Sequence, residues 1–383
     1  MKEDSLSSRV VLTYWSGGTL TSMHLQKDPG GIPIAIAEIG YHSLLVVEDS
    51  RVEAIPQVRV HDARTRGSRG VGGEIRQVLS LLDQSQVSDV IVIKGWKRQM
   101  LVTLLDRVRG APARSRQNER TRWTLKMDWG GPYSNWITRW FTGPYLLVAS
   151  LLFDRIIVET SCAQEIAERW VLGRAELCMV PDGYSPQYHS PVTYDAHPRA
   201  PVILSVARFA RVKQLELLIR GFAAVSSRHP EWTLRLVGPT EDPKYRQELE
   251  QMVSSLGLRD RVLFVGEVED VEAEFQTASI FCSTSRLESF GISRVEAVIN
   301  GIPVVTSPAG CPRDLVAMGM VVLEGDLETS LESTLDRFIK DPSLRKRTAD
   351  AAQGRILTWN QVTRAILAPY PEGPHPGASG RLK

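Results

Sequence analysis

Residues 279–311 form the stretch that most limits what this chain can fold into. Their pattern predicts a buried strand at 280–283, a polar loop, a helix at about 291–299 and a second buried strand at 303–306. The first turn of a helix presents backbone N–H groups without intrahelical partners, together with the positive end of the helix dipole. Gly291 stands where the loop becomes the helix, and a residue without Cβ lets a ligand approach the backbone closely. The stretch therefore predicts a site for a phosphate-bearing ligand.

Two glutamates flank this turn. Glu288 lies in the loop before the predicted helix, and Glu296 lies about a turn and a half inside it. Carboxylates on both sides of a phosphate can accept hydrogen bonds from sugar hydroxyls, and a nucleotide sugar has that layout of ribose, diphosphate and hexose. The alternative interpretation is a solvated pair of glutamates around an ordinary helix start, because acidic residues are common there.

The length and composition indicate a globular protein of two domains. The chain has 383 residues, of which 43% are hydrophobic and 7% aromatic, too many residues for one ordinary core and too apolar for a disordered chain. Its four cysteines form no Cys-x-x-Cys pair, which predicts free thiols rather than a disulfide framework or a zinc site. The first eight residues are polar and charged, and no apolar run approaches ~20 residues. We therefore expect a cytoplasmic protein without a signal peptide or a membrane-spanning helix.

Predicted strands and helices alternate along both halves of the chain. Such alternation indicates an α/β fold in which helices cover both faces of a mostly parallel sheet. A segment rich in proline, tyrosine and histidine separates the halves, and a tail rich in proline and glycine ends the chain. We expect two doubly wound, Rossmann-like domains that face a central cleft, with the ligand at the carboxyl ends of the second sheet. The predicted boundaries are a first domain at 1–184, a linker at 185–200, a second domain at 201–355, a final helix at 356–370 and a disordered tail at 371–383.

A second charged pair follows the first predicted strand of the C-terminal half. Arg208 and Lys213 straddle a short loop at the strand's carboxyl end, where open α/β sheets bind ligands. Arginine donates two parallel hydrogen bonds to phosphate oxygens, and lysine acts as a point charge. Each such contact contributes ~1.5–3 kcal/mol to the binding free energy. A leaving diphosphate needs such positive charge as the bond to it breaks. The sequence contains no Asp-x-Asp, so we expect no metal and no cofactor, with this pair supplying the charge.

The segment 94–145 is basic and rich in tryptophan. Basic residues beside interfacial aromatic residues suggest contact with an anionic bilayer or with a phosphate-linked lipid. A solvated basic face beside ordinary core aromatic residues is the alternative interpretation.

Taken together, these motifs resemble the retaining GT-B glycosyltransferases of family 4. The resemblance is specific over 181–370 and diffuse over the first half of the chain. It rests on SVARFARVK (205–213), VGP (237–239), FVGEV (264–268) and the segment 288–316 that begins ESFGISRVEAVINGIPVV. Two further segments resemble the interdomain segment and the closing helix of that family, namely 180–191 and 358–370. The resemblance implies that the first domain binds the acceptor and the second the nucleotide-sugar donor.

The resemblance also implies roles for the matching residues. Glu288 would contact hydroxyls of the donor sugar and Glu296 the ribose, while the diphosphate would lie on Arg208 and Lys213. Further donor contacts would come from the backbone of the turn before the helix and from a segment near the base, at Phe290, Gly291, Ile292, Gly266 and Val268.

The N-terminal half matches the family less well. KDPGGIP (27–33) together with KMD (126–128) looks like a branch of bacterial members that build polysaccharides. We expect Gly30 and Gly31 to form a tight turn that faces the cleft and contacts the donor. Asp128 is a candidate for catalytic or acceptor contact in place of the histidine that the family often carries, and a turn-capping aspartate is the alternative. Asp182 stands where the family usually has asparagine.

The sequence therefore predicts a retaining, metal-independent glycosyltransferase. It would move a sugar from a nucleoside diphosphate sugar to an acceptor hydroxyl in bacterial polysaccharide, glycolipid or other glycoconjugate synthesis. We expect a cytoplasmic enzyme, and if the segment 94–145 contacts lipid, the enzyme would lie peripherally at the inner face of the membrane and its acceptor could be lipid-linked. The alternative is a non-catalytic subunit that binds a nucleotide sugar for a partner enzyme. A nicotinamide dehydrogenase fits poorly, because the Gly-x-Gly-x-x-Gly fingerprint is absent.

Overall fold

The structure of the chain is a computed structural model. It describes nine stretches of the sequence, which are 9–15, 19–21, 24–25, 27–52, 54–62, 71–93, 97–109, 121–128 and 136–369. The chain divides into two compact units, one of residues 1–185 with 357–383 and one of residues 186–356. The predicted disordered tail at 371–383 lies outside the described residues.

The described part of the first unit is built on a parallel sheet of seven strands, in the order β5-β3-β1-β6-β7-β8-β9. Its strands are β1 (Val10–Trp15), β2 (Thr19–Leu20), β3 (His42–Val47), β4 (Asp49–Ser50), β5 (Val58–Asp62), β6 (Asp89–Ile93), β7 (Arg122–Lys126), β8 (Arg155–Val158) and β9 (Glu176–Met179), of which β2 and β4 pair separately. Its helices are α1 (Asp28–Glu38), α2 (Val71–Gln84), α3 (Lys97–Arg109), α4 (Trp136–Leu152), α5 (Ser161–Ala167) and α13 (Trp359–Ile366).

Both faces of this sheet are covered, as the apolar strands predict. In β1, Leu12 and Tyr14 belong to the core on one face, while Val11 and Trp15 belong to the core on the other. All five residues of β6 are buried. Strands buried on both faces are continuous apolar runs, because neither set of alternating side chains meets water.

The structure corrects the prediction of a tight turn at Gly30 and Gly31. Both glycines lie in the first turn of α1, which begins at Asp28. A Cβ on Gly30 would lie 2.3 Å from the Cα of Leu25, and a Cβ on Gly31 would lie 2.4 Å from the ring of Trp359 in α13. The two residues are therefore small because the chain packs against them at close range, and not because the backbone turns there.

The described part of the second unit is built on a parallel sheet of six strands, in the order β12-β11-β10-β13-β14-β15. Its strands are β10 (Val202–Val206), β11 (Thr233–Val237), β12 (Val262–Gly266), β13 (Ile280–Ser283), β14 (Val304–Thr306) and β15 (Val321–Val322). Its helices are α6 (Leu215–Ser226), α7 (Pro243–Ser255), α8 (Val271–Thr277), α9 (Ile292–Ile299), α10 (Pro312–Ala317), α11 (Leu327–Lys340) and α12 (Pro342–Ala352), with short 3₁₀ helices at Tyr194–Ala196 and Arg211–Lys213. The order of the strands reverses between β10 and β13, and such a switch point leaves a crevice at the carboxyl ends of the two strands.

The structure bears on two further predictions, which concern the cysteines and a membrane-spanning helix. Cys178 and Cys282 carry free thiols, as predicted. No helix in the described stretches is both long and apolar enough to cross a bilayer.

Part of the basic, tryptophan-rich segment 94–145 lies outside the described residues. Within it, the arginines of α3 pair with carboxylates, since Arg107 contacts Asp154 and Arg109 contacts Asp83. The same helix also exposes apolar side chains at Leu101, Leu104 and Val108.

Candidate functional site

The predicted charged residues meet at the switch point of the second sheet. Lys213 follows β10 and Glu288 follows β13, two neighbouring parallel strands whose carboxyl ends therefore lie side by side. The Nζ atom of Lys213 lies 2.7 Å from Oε2 of Glu288, with both side chains mostly buried. The loops after the two strands are tied together as well, because Thr284 Oγ1 donates to the carbonyl of Lys213 and the Arg286 N–H donates to the carbonyl of Val212.

The helix that follows, α9, begins as the sequence predicts. Gly291 is its N-cap residue, with a φ of +86° and no side chain to cap the first N–H groups. Phe290 before it is buried, Ile292 is the first helical residue, and Glu296 lies half-buried in the second turn. The arrangement presents uncapped N–H groups and the positive end of a helix next to the pair formed by Lys213 and Glu288.

The other predicted donor residues lie in the same unit but outside this pair. Arg208 is exposed and forms an ion pair with Glu241, so in this structure it does not join Lys213. Gly266 ends β12 with a φ of +84°, and its carbonyl accepts the N–H of Gly238. Val268 follows it and is half-buried. Their assignment to the base of a nucleotide stays a prediction.

In the first unit, Asp128 is exposed two residues beyond β7. The last residue of that strand, Lys126, is completely buried. Its Nζ lies 2.7 Å from Asp182, 2.8 Å from Glu159 and 3.5 Å from Asp28, and we refer to these four residues as the lysine cluster. The three carboxylates lie within 4.8 Å of one another, in a geometry that could hold a cation. In this structure the ammonium group of Lys126 is the cation that lies beside the three carboxylates.

Burial determines the electrostatics of the lysine cluster. Burial raises the pKa of Glu159 well above its usual range, and it also raises the pKa of Asp182, while attraction to Lys126 opposes both shifts. Burial lowers the pKa of Lys126, but attraction to Asp182, Glu159 and Asp28 outweighs this and raises it well above the usual value. Three carboxylates beside one ammonium group would leave net negative charge in a medium that solvates it poorly, which is consistent with the raised pKa values of Glu159 and Asp182.

The sequence motifs do not predict a role for Lys126, Glu159, Asp28 or Arg294. Two local features of the sequence indicate the lysine cluster. Lys126 is a charged residue at the end of an apolar strand, and Glu159 directly follows a second apolar strand. Arg294 is 1% exposed and lies in the first turn of α9. The sequence feature that could have drawn attention to Arg294 is its position, because a cation lies at the positive end of a predicted helix, where acidic residues are favoured.

Comparison with known proteins shows a similarity that is concentrated in the second unit. Residues 194–355 match the family described as glycosyl transferases group 1. Over these residues the chain is similar to a group 1 glycosyltransferase domain, and we refer to 194–355 as the group 1 domain. This group 1 domain contains Lys213, Glu288, Arg294 and Glu296, and thus the whole of the switch-point site.

Curated bacterial relatives match part of the chain. It is 30% identical over 237 residues to mannosylfructose-phosphate synthase of Agrobacterium fabrum, a match that covers 56% of this chain and 52% of the relative. It is 28% identical over 177 residues to a lipopolysaccharide core biosynthesis mannosyltransferase of Rhizobium meliloti, covering 43% of this chain and 50% of the relative. The chain thus spans about half the length of these relatives.

Solved structures extend the likeness to both units. A protein from Anabaena, solved in complex with UDP, matches over 94% of this chain and 98% of its own, with a TM-score of 0.70 at 18% sequence identity. At this identity the match shows the fold alone. It confirms the prediction of an α/β, GT-B fold.

Proposed function

We propose that the chain is a glycosyltransferase that moves a sugar from a nucleoside diphosphate sugar to an acceptor hydroxyl in bacterial glycoconjugate synthesis. The observation that carries the proposal is the ion pair of Lys213 and Glu288 beside the uncapped start of α9, at the switch point of a group 1 domain. The synthase of Agrobacterium fabrum and the mannosyltransferase of Rhizobium meliloti support the type of reaction. The UDP of the Anabaena structure supports a nucleotide donor.

The residues of the site divide the chemistry between them. The diphosphate lies against the N–H groups at Gly291 and Ile292, and Lys213 neutralises the charge that grows on it as the bond to the sugar breaks. Glu288 holds hydroxyls of the sugar, and Glu296 holds the ribose. Arg208 joins the phosphates by leaving Glu241, because an exposed ion pair contributes only ~0–1 kcal/mol to stability.

The stereochemical course in this proposal is retention. No carboxylate in the sequence suggests itself as a covalent nucleophile, so the acceptor oxygen attacks the anomeric carbon on the face from which the diphosphate leaves. The hydroxyl proton passes to the departing phosphate oxygen, and the transition state resembles an oxocarbenium ion. The helix start and Lys213 would make a metal ion unnecessary. Acceptor contact at Asp128, peripheral membrane contact through 94–145 and cytoplasmic placement stay predictions of the same proposal.

A second candidate is the non-catalytic subunit that binds a nucleotide sugar. The lack of a recognised acceptor-side histidine favours it, while the intact set of sequence motifs favours the enzyme. Turnover by the isolated chain separates the two.

A thermal-shift panel tests the donor site. We expect one of UDP, GDP, ADP and dTDP, but not CMP, to stabilise the purified chain without added metal. A ligand at about 100 times its dissociation constant stabilises by ~2.7 kcal/mol, which moves the melting temperature measurably. Glu296→Ala should abolish the shift, whereas Glu250→Ala, which removes an exposed carboxylate paired with Arg246, should retain it. Melting that no nucleotide changes would contradict the proposal.

A further inference from the structure

The guanidinium group of Arg294 lies buried directly behind the turn at which α9 begins. Its side chain folds back along the helix, so that a Cβ on Gly291 would lie 2.3 Å from Arg294 Nε. Gly310 passes on another side, where an added Cβ would lie 3.5 Å from Nη2. Both glycines have positive φ, +86° and +102°. The backbone is therefore shaped to leave room for one buried cation.

All the hydrogen-bond partners of this guanidinium group are neutral. Nη1 donates to Oγ1 of Thr306 at 3.1 Å and to the carbonyl of Ala309 at 2.8 Å, and Nη2 donates to the carbonyl of Phe290 at 2.9 Å. The Nε–H is buried and has no acceptor among the residues that the structure describes. Within the same described residues, no carboxylate pairs with Arg294.

Three effects make this position unfavourable for a cation in the chain by itself. Burial removes the guanidinium from water, and the adjacent helix start contributes further positive potential. The charge that attracts it is that of Glu288, which already pairs with Lys213. Burial lowers the pKa of Arg294 to about 10 against this attraction, so the group remains charged at neutral pH. Lys213, Glu288 and Arg294 together leave a net positive charge at the switch point.

An anion at the turn would remove this imbalance. A buried, positively charged group beside uncapped N–H groups interacts strongly with a phosphate, because little water lies between to screen the attraction. We propose that Arg294 is a positioning residue for the donor diphosphate. Its charge raises the affinity of the turn at Gly291 for phosphate, and its bond to the Phe290 carbonyl places that charge next to the turn. This inference rests on the proposed function, since it needs a diphosphate at the same site.

The test separates the charge of Arg294 from its hydrogen bonds. Arg294→Gln keeps an amide donor for the carbonyls but has no charge. Arg294→Lys keeps the charge but loses the planar guanidinium group with its several N–H donors. Arg345→Gln is the matched control, because Arg345 is also buried and donates to the carbonyls of Phe338 and Ile339. Dissociation constants are measured by calorimetry for whichever of UDP, GDP, ADP and dTDP binds the wild-type chain most tightly, and for the matching nucleoside monophosphate.

We expect Arg294→Gln to weaken diphosphate binding about tenfold or more, and the monophosphate less, with a smaller dependence on salt concentration. Arg294→Lys should stay within about threefold of the wild type, and Arg345→Gln should bind as the wild type does while melting earlier. Unchanged affinity in Arg294→Gln, or an equal loss in Arg294→Lys, would overturn the inference and leave the donor site standing. If Arg294→Gln does not fold, Arg294→Lys decides alone: near-wild-type affinity supports the charge, and a tenfold loss refutes it. A wild-type chain that binds none of the diphosphates would refute the proposed function and this inference together.

Discussion

Lys213→Ala should lower the turnover of the nucleotide-sugar donor by about 10²–10³-fold, the usual effect of removing one preorganised charge-stabilising group. Two causes act in the same direction. The leaving diphosphate loses its nearest cation, and Glu288, which lies 2.7 Å from Lys213 Nζ, becomes an unpaired carboxylate beside the phosphates. The measurement is the rate of nucleoside diphosphate release, with the melting temperature recorded in parallel to show that the variant is folded.

The control for this variant comes from the same 3₁₀ helix. Arg211 lies two residues before Lys213, but its guanidinium contacts Glu248 of α7 on the exposed surface. Arg211→Ala should retain wild-type turnover, because an exposed ion pair contributes little and takes no part in the proposed chemistry. Equal activity in Lys213→Ala and Arg211→Ala would show that the ion pair at the switch point has no role in transfer.

Lys126→Met should destabilise the first unit by about 3–5 kcal/mol, because removing one partner of a buried ion pair leaves uncompensated charge. Lys126 is fully buried, and Asp28, Glu159 and Asp182 would remain around an apolar side chain. Urea unfolding, followed by hydrogen exchange in β7 and β8, measures the loss. Arg109→Met removes an exposed ion pair with Asp83 in the same unit and should change stability by less than about 1 kcal/mol.

The pH dependence of this loss has a definite sign. Burial raises the pKa of Glu159 and of Asp182 above their values in the unfolded chain. Their contribution to stability is complete below the usual carboxyl range and is lost as the pH rises through the raised values. The pKa of Lys126 is raised too, so its contribution is lost only in strongly alkaline solution. Lys126→Met should therefore lower the free energy of unfolding by more at about pH 8 than at about pH 5. An equal loss at both values would contradict the electrostatic account of the lysine cluster.

The local features of the donor site could be predicted from the sequence. The strand at Ile280–Ser283 and the helix start at Gly291 follow from an apolar run, a glycine and a helical period that all lie within one short segment. The sequence also places Lys213 and Glu288 at the same edge of the sheet, because the carboxyl ends of parallel strands lie together. Their direct contact could not be predicted, since it requires β13 to lie beside β10 although β11 and β12 come between them in the chain.

Features that depend on distant contacts could not be predicted in this way. Gly30 and Gly31 resemble a turn until Trp359, from the end of the chain, is seen to pack against the helix that contains Gly31. The lysine cluster draws its carboxylates from three separate parts of the chain, and nothing in the sequence of these parts indicates that they meet. Arg294 is different, because a cation in the first turn of a helix departs from the dipole rule within the sequence itself.

Donor turnover by the isolated chain tests the central claim most directly. The purified protein is incubated, without added metal, with the nucleotide sugars of the nucleoside diphosphate selected by the thermal-shift panel and with hydroxyl-bearing acceptors, lipid-linked ones included. We expect nucleoside diphosphate release and a new glycosidic bond of the same anomeric configuration as the donor, both lost in Lys213→Ala. Tight diphosphate binding without turnover of any sugar would contradict the claim that this chain is itself the enzyme, and it would favour the nucleotide-sugar-binding subunit.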